Sequence, residues 1–104
     1  MNLVALISAL FGLGLYAVLS RRDIIGVLAG VEIMLGSATL ALIGLGTQVQ
    51  PAIGQEWATG TLGATGLIVL VVAAAEAAVG LALLVEVTRV LRTSRIDEMT
   101  EVRG

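Results

Sequence analysis

The fold is decided by residues 61–87, TLGATGLIVLVVAAAEAAVGLALLVEV, where Glu76 and Glu86 are the only charged side chains. A helix needs roughly 17–25 predominantly apolar residues to cross about 30 Å of hydrocarbon. In lipid, only helices and closed barrels satisfy every backbone polar group. The stretch therefore predicts a membrane-spanning helix at about 61–88. Residues 3–19, which carry no charge, and 24–46, which carry only Glu32, predict two more.

The composition of the whole chain agrees with a membrane protein. Of its 104 residues, 58% are hydrophobic and 13% are charged, whereas soluble domains carry about 25% charged residues. We therefore predict one all-α membrane domain, 1–104, with three transmembrane helices and a polar C-terminal tail, 89–104. We interpret residues 3–19 as a span and not a signal peptide, because no basic residue precedes them and 19–21 is a poor cleavage site.

The distribution of arginines predicts the orientation of the chain in the membrane. Arg21 and Arg22 lie between the first two spans, four more arginines follow the third span, and residues 47–60 have no basic side chain. Cytoplasmic loops carry the excess of Lys and Arg. We therefore expect the N-terminus and second loop outside and the C-terminus in the cytoplasm. Tyr16 and Trp57 would then lie near opposite membrane interfaces, where aromatic residues are enriched.

Several kinds of chemistry are excluded by what the chain lacks. It has no cysteine and no histidine, which removes thiolate and imidazole ligands for iron–sulfur clusters, haem and zinc. We see no phosphate-binding glycine loop, catalytic nucleophile or nucleic-acid-binding patch, and we expect no metal or cofactor in this chain. Small residues recur in all three spans and predict close helix packing. With few aromatic side chains, the bundle is expected to lie between larger membrane partners.

Two carboxylates, Glu32 and Glu76, lie inside predicted spans. Glu32 is ten residues from Arg22 and Glu76 thirteen from Arg89, or about 15 and 20 Å along a helix, so we expect similar depths. An ionisable residue there costs at least about 2.5 kcal/mol and indicates a functional site. A buried acid that takes up and releases protons suits a proton-transfer path. The alternative is a permanently protonated Glu that donates an interhelical hydrogen bond. Glu86, three residues before Arg89, is expected to form an interfacial ion pair.

A resemblance to a known family extends along nearly the whole chain. The matching motifs are Gly14-Leu15-Tyr16 with LSRR at 19–22, GVEIML at 30–35, AAAEAAVGLA at 73–82, and RG at 103–104. The motif around Glu76 is the most specific and the one around Glu32 is supportive. On these residues the chain resembles the subunit K family of respiratory complex I, the proton-pumping NADH:quinone oxidoreductase. Its second loop, 46–61, looks longer and richer in Gln than the family pattern.

The resemblance implies a three-helix subunit of the membrane arm, between the quinone-site subunits and the antiporter-like subunits. It implies that Glu32 and Glu76 belong to the intramembrane proton-transfer path, and that Arg21 and Arg22 in the cytoplasmic loop support coupling. NADH, FMN, iron–sulfur clusters and quinone are expected on partner subunits. We expect a multi-pass protein of the bacterial inner (plasma) membrane, with a thylakoid or other energy-transducing organelle membrane as the alternative.

Other membrane proteins with intramembrane carboxylates are the rival interpretations. A subunit of a multisubunit cation/proton antiporter shares the three-helix plan, but the sequence around Glu76 argues against it. Small multidrug exporters resemble four-span, aromatic-rich proteins, and rotor-ring subunits have two spans with one carboxylate. A purely structural assembly subunit is a further alternative, and it predicts that neither glutamate matters for pumping.

Overall fold

A computed structural model describes residues 2–48 and 55–98, with the side chains of 55–59 left out of the description. Three helices follow one another in this part of the chain: α1, Leu3–Ser20; α2, Ile24–Gly46; and α3, Gln55–Leu91. All three contain stretches long and apolar enough to cross a membrane. The predicted all-α architecture with three transmembrane helices is confirmed. α3 begins earlier and ends later than the 61–88 predicted from hydropathy.

Polar side chains define where α1 and α2 begin. Asn2 accepts a hydrogen bond from the Val4 amide, and Asp23 accepts one at 2.9 Å from the Gly26 amide. Such caps satisfy amides that have no partner within the helix. Only residues 21–23 separate α1 from α2, and Arg21 and Asp23 have extended backbones. The short connection makes α1 and α2 antiparallel neighbours.

Two glycines allow α1 and α2 to approach closely. A Cβ atom on Gly14 would lie 2.7 Å from the Gly30 carbonyl oxygen, and one on Gly30 would lie 2.8 Å from the Gly14 oxygen. About two helical turns from this crossing, the buried Ser37 hydroxyl donates a 2.8 Å hydrogen bond to the Ile7 carbonyl. Close backbone approach and interhelical hydrogen bonds are the usual means of helix association in lipid.

α3 packs against the other side of α2. In this contact, apolar side chains of each helix cover glycines of the other. Leu28 covers Gly80 near one end of the bundle, and Ile43 covers Gly66 near the other. Leu62 of α3 likewise covers Gly46 of α2. The residue numbers of these antiparallel pairs add to 108 or 109. Glu32 and Glu76, whose numbers add to 108, are therefore level along the helix axes, in agreement with the depths expected from the arginines.

Very little of the described chain is buried. Only five of the described residues are buried: Gly14, Gly30, Ser37, Gly66 and Leu84. Long apolar side chains such as Tyr16, Leu67 and Val85 are about two-thirds exposed. A surface of this kind is stable only against lipid or other apolar protein surfaces. The packing agrees with the expectation of a thin bundle that needs neighbours.

The described part of the polar segment after α3 folds back onto the bundle. The helix continues to Leu91, and Arg92 has a positive φ of 56°, a left-handed conformation common just after helix ends. The chain then turns back, and Asp23 and Arg95 form an isolated antiparallel bridge. Asp97 and Glu98 belong to this returning segment, and both stay exposed. The Trp57 side chain, Glu101 and Arg103 lie outside the description.

Candidate functional site

Glu32 lines a cleft between α2 and α3, which we call the Glu32 cleft. Its volume is about 510 Å³. The α2 wall consists of Glu32, Leu35, Gly36, Thr39, Leu40 and Ile43, and the α3 wall consists of Leu70, Ala73 and Ala74. Small residues in both walls help to keep the cleft open: a Cβ on Gly36 would meet nothing within 4 Å, and the α3 wall contains Ala73 and Ala74.

One carboxylate oxygen in this cleft is buried without a partner. Oε1 of Glu32 makes no hydrogen bond to any described residue. Buried polar atoms in proteins nearly always have a hydrogen-bond partner, either protein or ordered water. The cleft has room for water, and a second polar group, the Thr39 hydroxyl, donates to the Leu35 carbonyl at 2.9 Å. The Thr39 hydroxyl oxygen can still accept a hydrogen bond, so the cleft offers two polar groups, Glu32 and Thr39, on one face of α2.

Glu76 has a different environment. It is exposed on α3, in a shallow groove of about 450 Å³ that we call the Glu76 groove, lined by Val72, Ala75, Glu76, Val79, Gly80 and Leu83. All of these residues belong to α3. The other wall of the groove has to come from lipid or a neighbouring protein.

The two carboxylates are level, but the Glu32 cleft and the Glu76 groove border different flanks of α3. Ala74 lines the Glu32 cleft and Val72 lines the Glu76 groove. Residues two positions apart in an α-helix are separated by about 200° around its axis. Gly36 and Thr39 line the Glu32 cleft, and Gly80 lines the Glu76 groove. Ala73, three residues before Glu76, lines the Glu32 cleft.

The end of the bundle that carries residues 20–24 and 89–98, the arginine end, has a second group of charges. The Arg22 guanidinium lies 3.9 Å from Asp97, and Arg95 binds both oxygens of Asp97 at 3.0 and 3.2 Å. The hydrogen bond from Arg95 holds the pKa of Asp97 below its ordinary value, and the same contact raises the pKa of Arg95. The expected pair of Glu86 with Arg89 is confirmed at 3.8 Å.

Sequence reasoning missed the contacts of Asp97 because no motif marks them. The only signal was opposite charge, and charged tails usually remain solvated. Within residues 2–48 and 55–98, no three metal-ligating side chains come together. Among the described residues, Arg21 has no carboxylate within ion-pair distance. Its aliphatic stem covers Gly26 at the start of α2.

Comparison with known proteins identifies the family. The model of the NADH-ubiquinone/plastoquinone oxidoreductase chain 4L family matches residues 2–104. The chain belongs to this family. The resemblance to subunit K of complex I, based on the motifs around Glu32 and Glu76, is thereby confirmed.

Curated relatives of the chain 4L family cover almost the whole chain. NADH-quinone oxidoreductase subunit K of Roseiflexus castenholzii is 41% identical over 97% of this chain and 93% of its own length. NADH-quinone oxidoreductase subunit 11 of Thermus thermophilus is 42% identical over 91% of this chain and 90% of its own length. Subunit K of Deinococcus radiodurans is 37% identical over 97% of this chain and 90% of its own length. The relatives are all bacterial and similar in length.

Proposed function

We propose that the chain is a membrane-arm subunit of a proton-pumping NADH:quinone oxidoreductase, in which Glu32 and Glu76 take up and release protons on a path coupled to quinone reduction. Family membership over residues 2–104 supports the assignment to this complex. The observation that supports a role in proton transfer is the buried, unpartnered Oε1 of Glu32 in an open cleft. The placement of Glu32 at the same level as Glu76 also supports this role.

The chemistry of the Glu32 cleft suits transient protonation. An unpartnered carboxylate oxygen there can be served by water, and a cleft of about 510 Å³ holds several water molecules. A protonated Glu32 would donate to such water and an ionised Glu32 would accept from it. A cleft of this volume therefore allows Glu32 to change its protonation state without repacking of its neighbours.

The Glu76 groove implies a partner. An ionisable side chain facing hydrocarbon is costly, and such residues almost always face protein or water. We therefore expect a neighbouring membrane subunit to complete this groove, either a quinone-site subunit or an antiporter-like subunit. Glu32 would then face the interior of this chain and Glu76 a subunit boundary, so that protons pass between subunits at the level of these two side chains.

The remaining chemistry belongs to other subunits. NADH, FMN, iron–sulfur clusters and quinone are expected on partners, and this chain contributes no redox group. We place the chain in the inner membrane of a bacterium, with the N-terminus outside and the arginine end in the cytoplasm. Arg21 and Arg22 are proposed to support coupling from that end.

The decisive experiment replaces each glutamate with glutamine in the assembled complex. Glu32→Gln and Glu76→Gln keep the side-chain shape but cannot carry a transferable proton. We expect normal assembly and at least severalfold slower quinone-coupled proton pumping in membrane vesicles. Glu86→Gln is the matched control, because Glu86 is an exposed carboxylate on the same helix as Glu76 and is paired with Arg89. We expect the complex that carries this variant to pump normally.

Two outcomes would contradict this proposal. Normal pumping in both single variants and in the double variant would refute the role in proton transfer, and failure of the complex to assemble would favour a purely structural subunit. A further variant, Glu32→Gln with Gly36→Glu, moves the carboxylate by one turn within the Glu32 cleft. Recovery of pumping in that variant is expected if water in the cleft carries the proton.

A further inference from the structure

At the arginine end, the segment that follows α3 forms a short antiparallel pairing with the loop between α1 and α2. The Ile24 amide donates to the Ser94 carbonyl at 3.0 Å, and the Ile96 amide donates to the Arg22 carbonyl at 2.8 Å. These two bonds flank the bridge between Asp23 and Arg95. We call the pairing of residues 94–97 with residues 22–24 the clasp.

The clasp connects the two helices that carry the intramembrane glutamates. Ile24 begins α2, and Ser94 follows the end of α3 by three residues. Along the spans, α2 and α3 are in contact through apolar side chains over glycines, such as Leu28 over Gly80. Directional backbone hydrogen bonds at one end add a further constraint on the axial position of α3 to these side-chain contacts.

We infer that the clasp fixes the axial position of α3 relative to α2, that it stays closed during turnover, and that Asp97 is its positioning residue. Asp97 acts through Arg22 and Arg95, whose guanidinium groups lie 3.9 and 3.0 Å from its carboxylate. Because α2 and α3 are held at this end, Glu32 and Glu76 remain level. The consequence for proton transfer rests on the proposed function, whereas the clasp itself does not.

The clasp also distinguishes the two loop arginines. Arg22 takes part through both its carbonyl and its guanidinium. Arg21 takes part in neither pairing among the described residues, and its stem lies against the start of α2. Arg22 therefore anchors the segment after α3, whereas Arg21 makes neither of these contacts with it among the described residues.

The bridge geometry permits a direct test by disulfide formation. Asp23 and Arg95 are a non-hydrogen-bonded antiparallel pair, since the bonds join the residues on either side of them. Such pairs have Cα atoms about 4.5 Å apart, within the range that a disulfide spans. The chain has no cysteine, so Asp23→Cys with Arg95→Cys introduces the only intrachain pair. Each single variant controls for loss of the native side chain, including the α2 cap at Asp23.

In the assembled complex in its membrane, we expect this pair to form a disulfide on mild oxidation. We also expect the oxidised complex to pump protons within twofold of the same preparation after reduction. No disulfide would overturn the clasp. A disulfide that abolishes pumping until it is reduced would overturn the inference that the clasp stays closed during turnover. Efficient disulfide formation together with normal pumping in the Glu32→Gln and Glu76→Gln variants would leave the clasp intact and count against the proposed function.

The role of Asp97 is tested in the same cysteine background. Replacement of Arg95 leaves Arg22 as the described cation near Asp97, so Asp97→Asn removes that ion pair. We expect disulfide formation to slow two- to fivefold. Glu98→Gln is the matched control: Glu98 contacts Arg95 and Thr93 and not Arg22, and the rate should not change. Equal rates in the two variants would overturn the assignment to Asp97.

A measurement on the unmodified complex keeps the inference testable if the cysteine variants fail to assemble. Hydrogen exchange followed by mass spectrometry reports on the amides of Ile24 and Ile96, which donate the two bonds of the clasp. We expect peptides that contain residues 93–98 to retain deuterium protection for at least tenfold longer than an unstructured peptide of the same sequence. Exchange at the unstructured rate would overturn the clasp.

Discussion

Replacing Gly14 with alanine tests whether backbone contact between glycines holds α1 against α2. A Cβ on Gly14 would lie 2.7 Å from the Gly30 carbonyl oxygen and 3.0 Å from the Met34 amide nitrogen. Both are backbone atoms and cannot rotate away. Ordinary van der Waals contact begins at 3.4 Å, so the added methyl group requires the two helices to separate by about 0.7 Å at their crossing.

The expected magnitude follows from the cost of overpacking. Adding a methyl group to a well-packed contact typically costs about 1–3 kcal/mol. Since about 1.4 kcal/mol corresponds to a tenfold change in an equilibrium constant, association of α1 with α2 should weaken by a factor of roughly 5 to 150.

The association can be measured with two fluorophore-labelled peptides in lipid vesicles, one covering residues 1–22 and the other 21–48. Membrane helices form independently before they associate, so the dissociation constant from energy transfer reports the helix contact alone. Gly12→Ala is the matched control on the same helix, because a Cβ there would meet nothing within 4 Å.

Both substitutions bring the same change in intrinsic helix propensity, so their difference isolates the steric contact. Equal dissociation constants for the Gly12 and Gly14 variants would show that the α1–α2 contact does not depend on close approach at Gly14. The argument from the Gly14–Gly30 crossing would then be refuted.

Two further predictions concern polar contacts. Ser37→Ala removes a buried interhelical hydrogen bond to the Ile7 carbonyl, a kind of bond worth about 0.6 kcal/mol on average in membranes, so the same peptide assay should show about threefold weaker association. At the arginine end, Arg95 holds the pKa of Asp97 below 3.8. The contribution of the Arg95–Asp97 pair to the stability of the folded state is therefore complete above pH 3.8, and it is lost as the pH falls through the lowered pKa of Asp97. The carbon-13 shift of the Asp97 carboxyl should titrate with a midpoint below 3.8.

Each of these predictions has a control within the chain. Ser8→Ala removes an exposed hydroxyl from α1 and should leave association unchanged, so a loss as large as that of Ser37→Ala would count against the hydrogen bond. Arg95→Gln should move the Asp97 midpoint upward towards 3.8. A midpoint that does not respond to this substitution would mean that Arg95 is not the cause of the lowered pKa.

The helices and the depth of the glutamates could be predicted from sequence because both depend on local quantities. Uninterrupted apolar length determines a span, and a constant rise per residue converts the separation of Glu32 from Arg22 into a depth. The prediction that small residues in the spans allow close helix packing rests on the same local logic. The flank of α3 on which each residue lies was harder to predict from sequence, because Ala73 and Glu76 are separated by only about 60° around the helix axis.

The clasp could not be predicted because it depends on tertiary placement. Residues 94–97 have no alternating hydrophobic pattern, and an isolated bridge forms only where the end of α3 comes beside the α1–α2 loop. The left-handed conformation of Arg92, with φ of 56°, has no signal in its residue type, since glycine or asparagine is usual there. Similarly, which flank of α3 faces α2 follows from the pairing of glycines with Leu28 and Ile43.

The unequal lengths of α1 and α3 have a consequence for the surrounding bilayer. At 1.5 Å per residue, the 18 residues of α1 span about 27 Å, whereas the 32 residues of α3 from Gly60 to Leu91 span about 48 Å. One flat hydrocarbon layer of about 30 Å matches α1 and is shorter than this part of α3, even at the steepest common tilt of about 40°. Because the exposed Glu86–Arg89 pair lies in the last turns of α3, we expect the excess length of α3 to extend beyond the hydrocarbon at the arginine end.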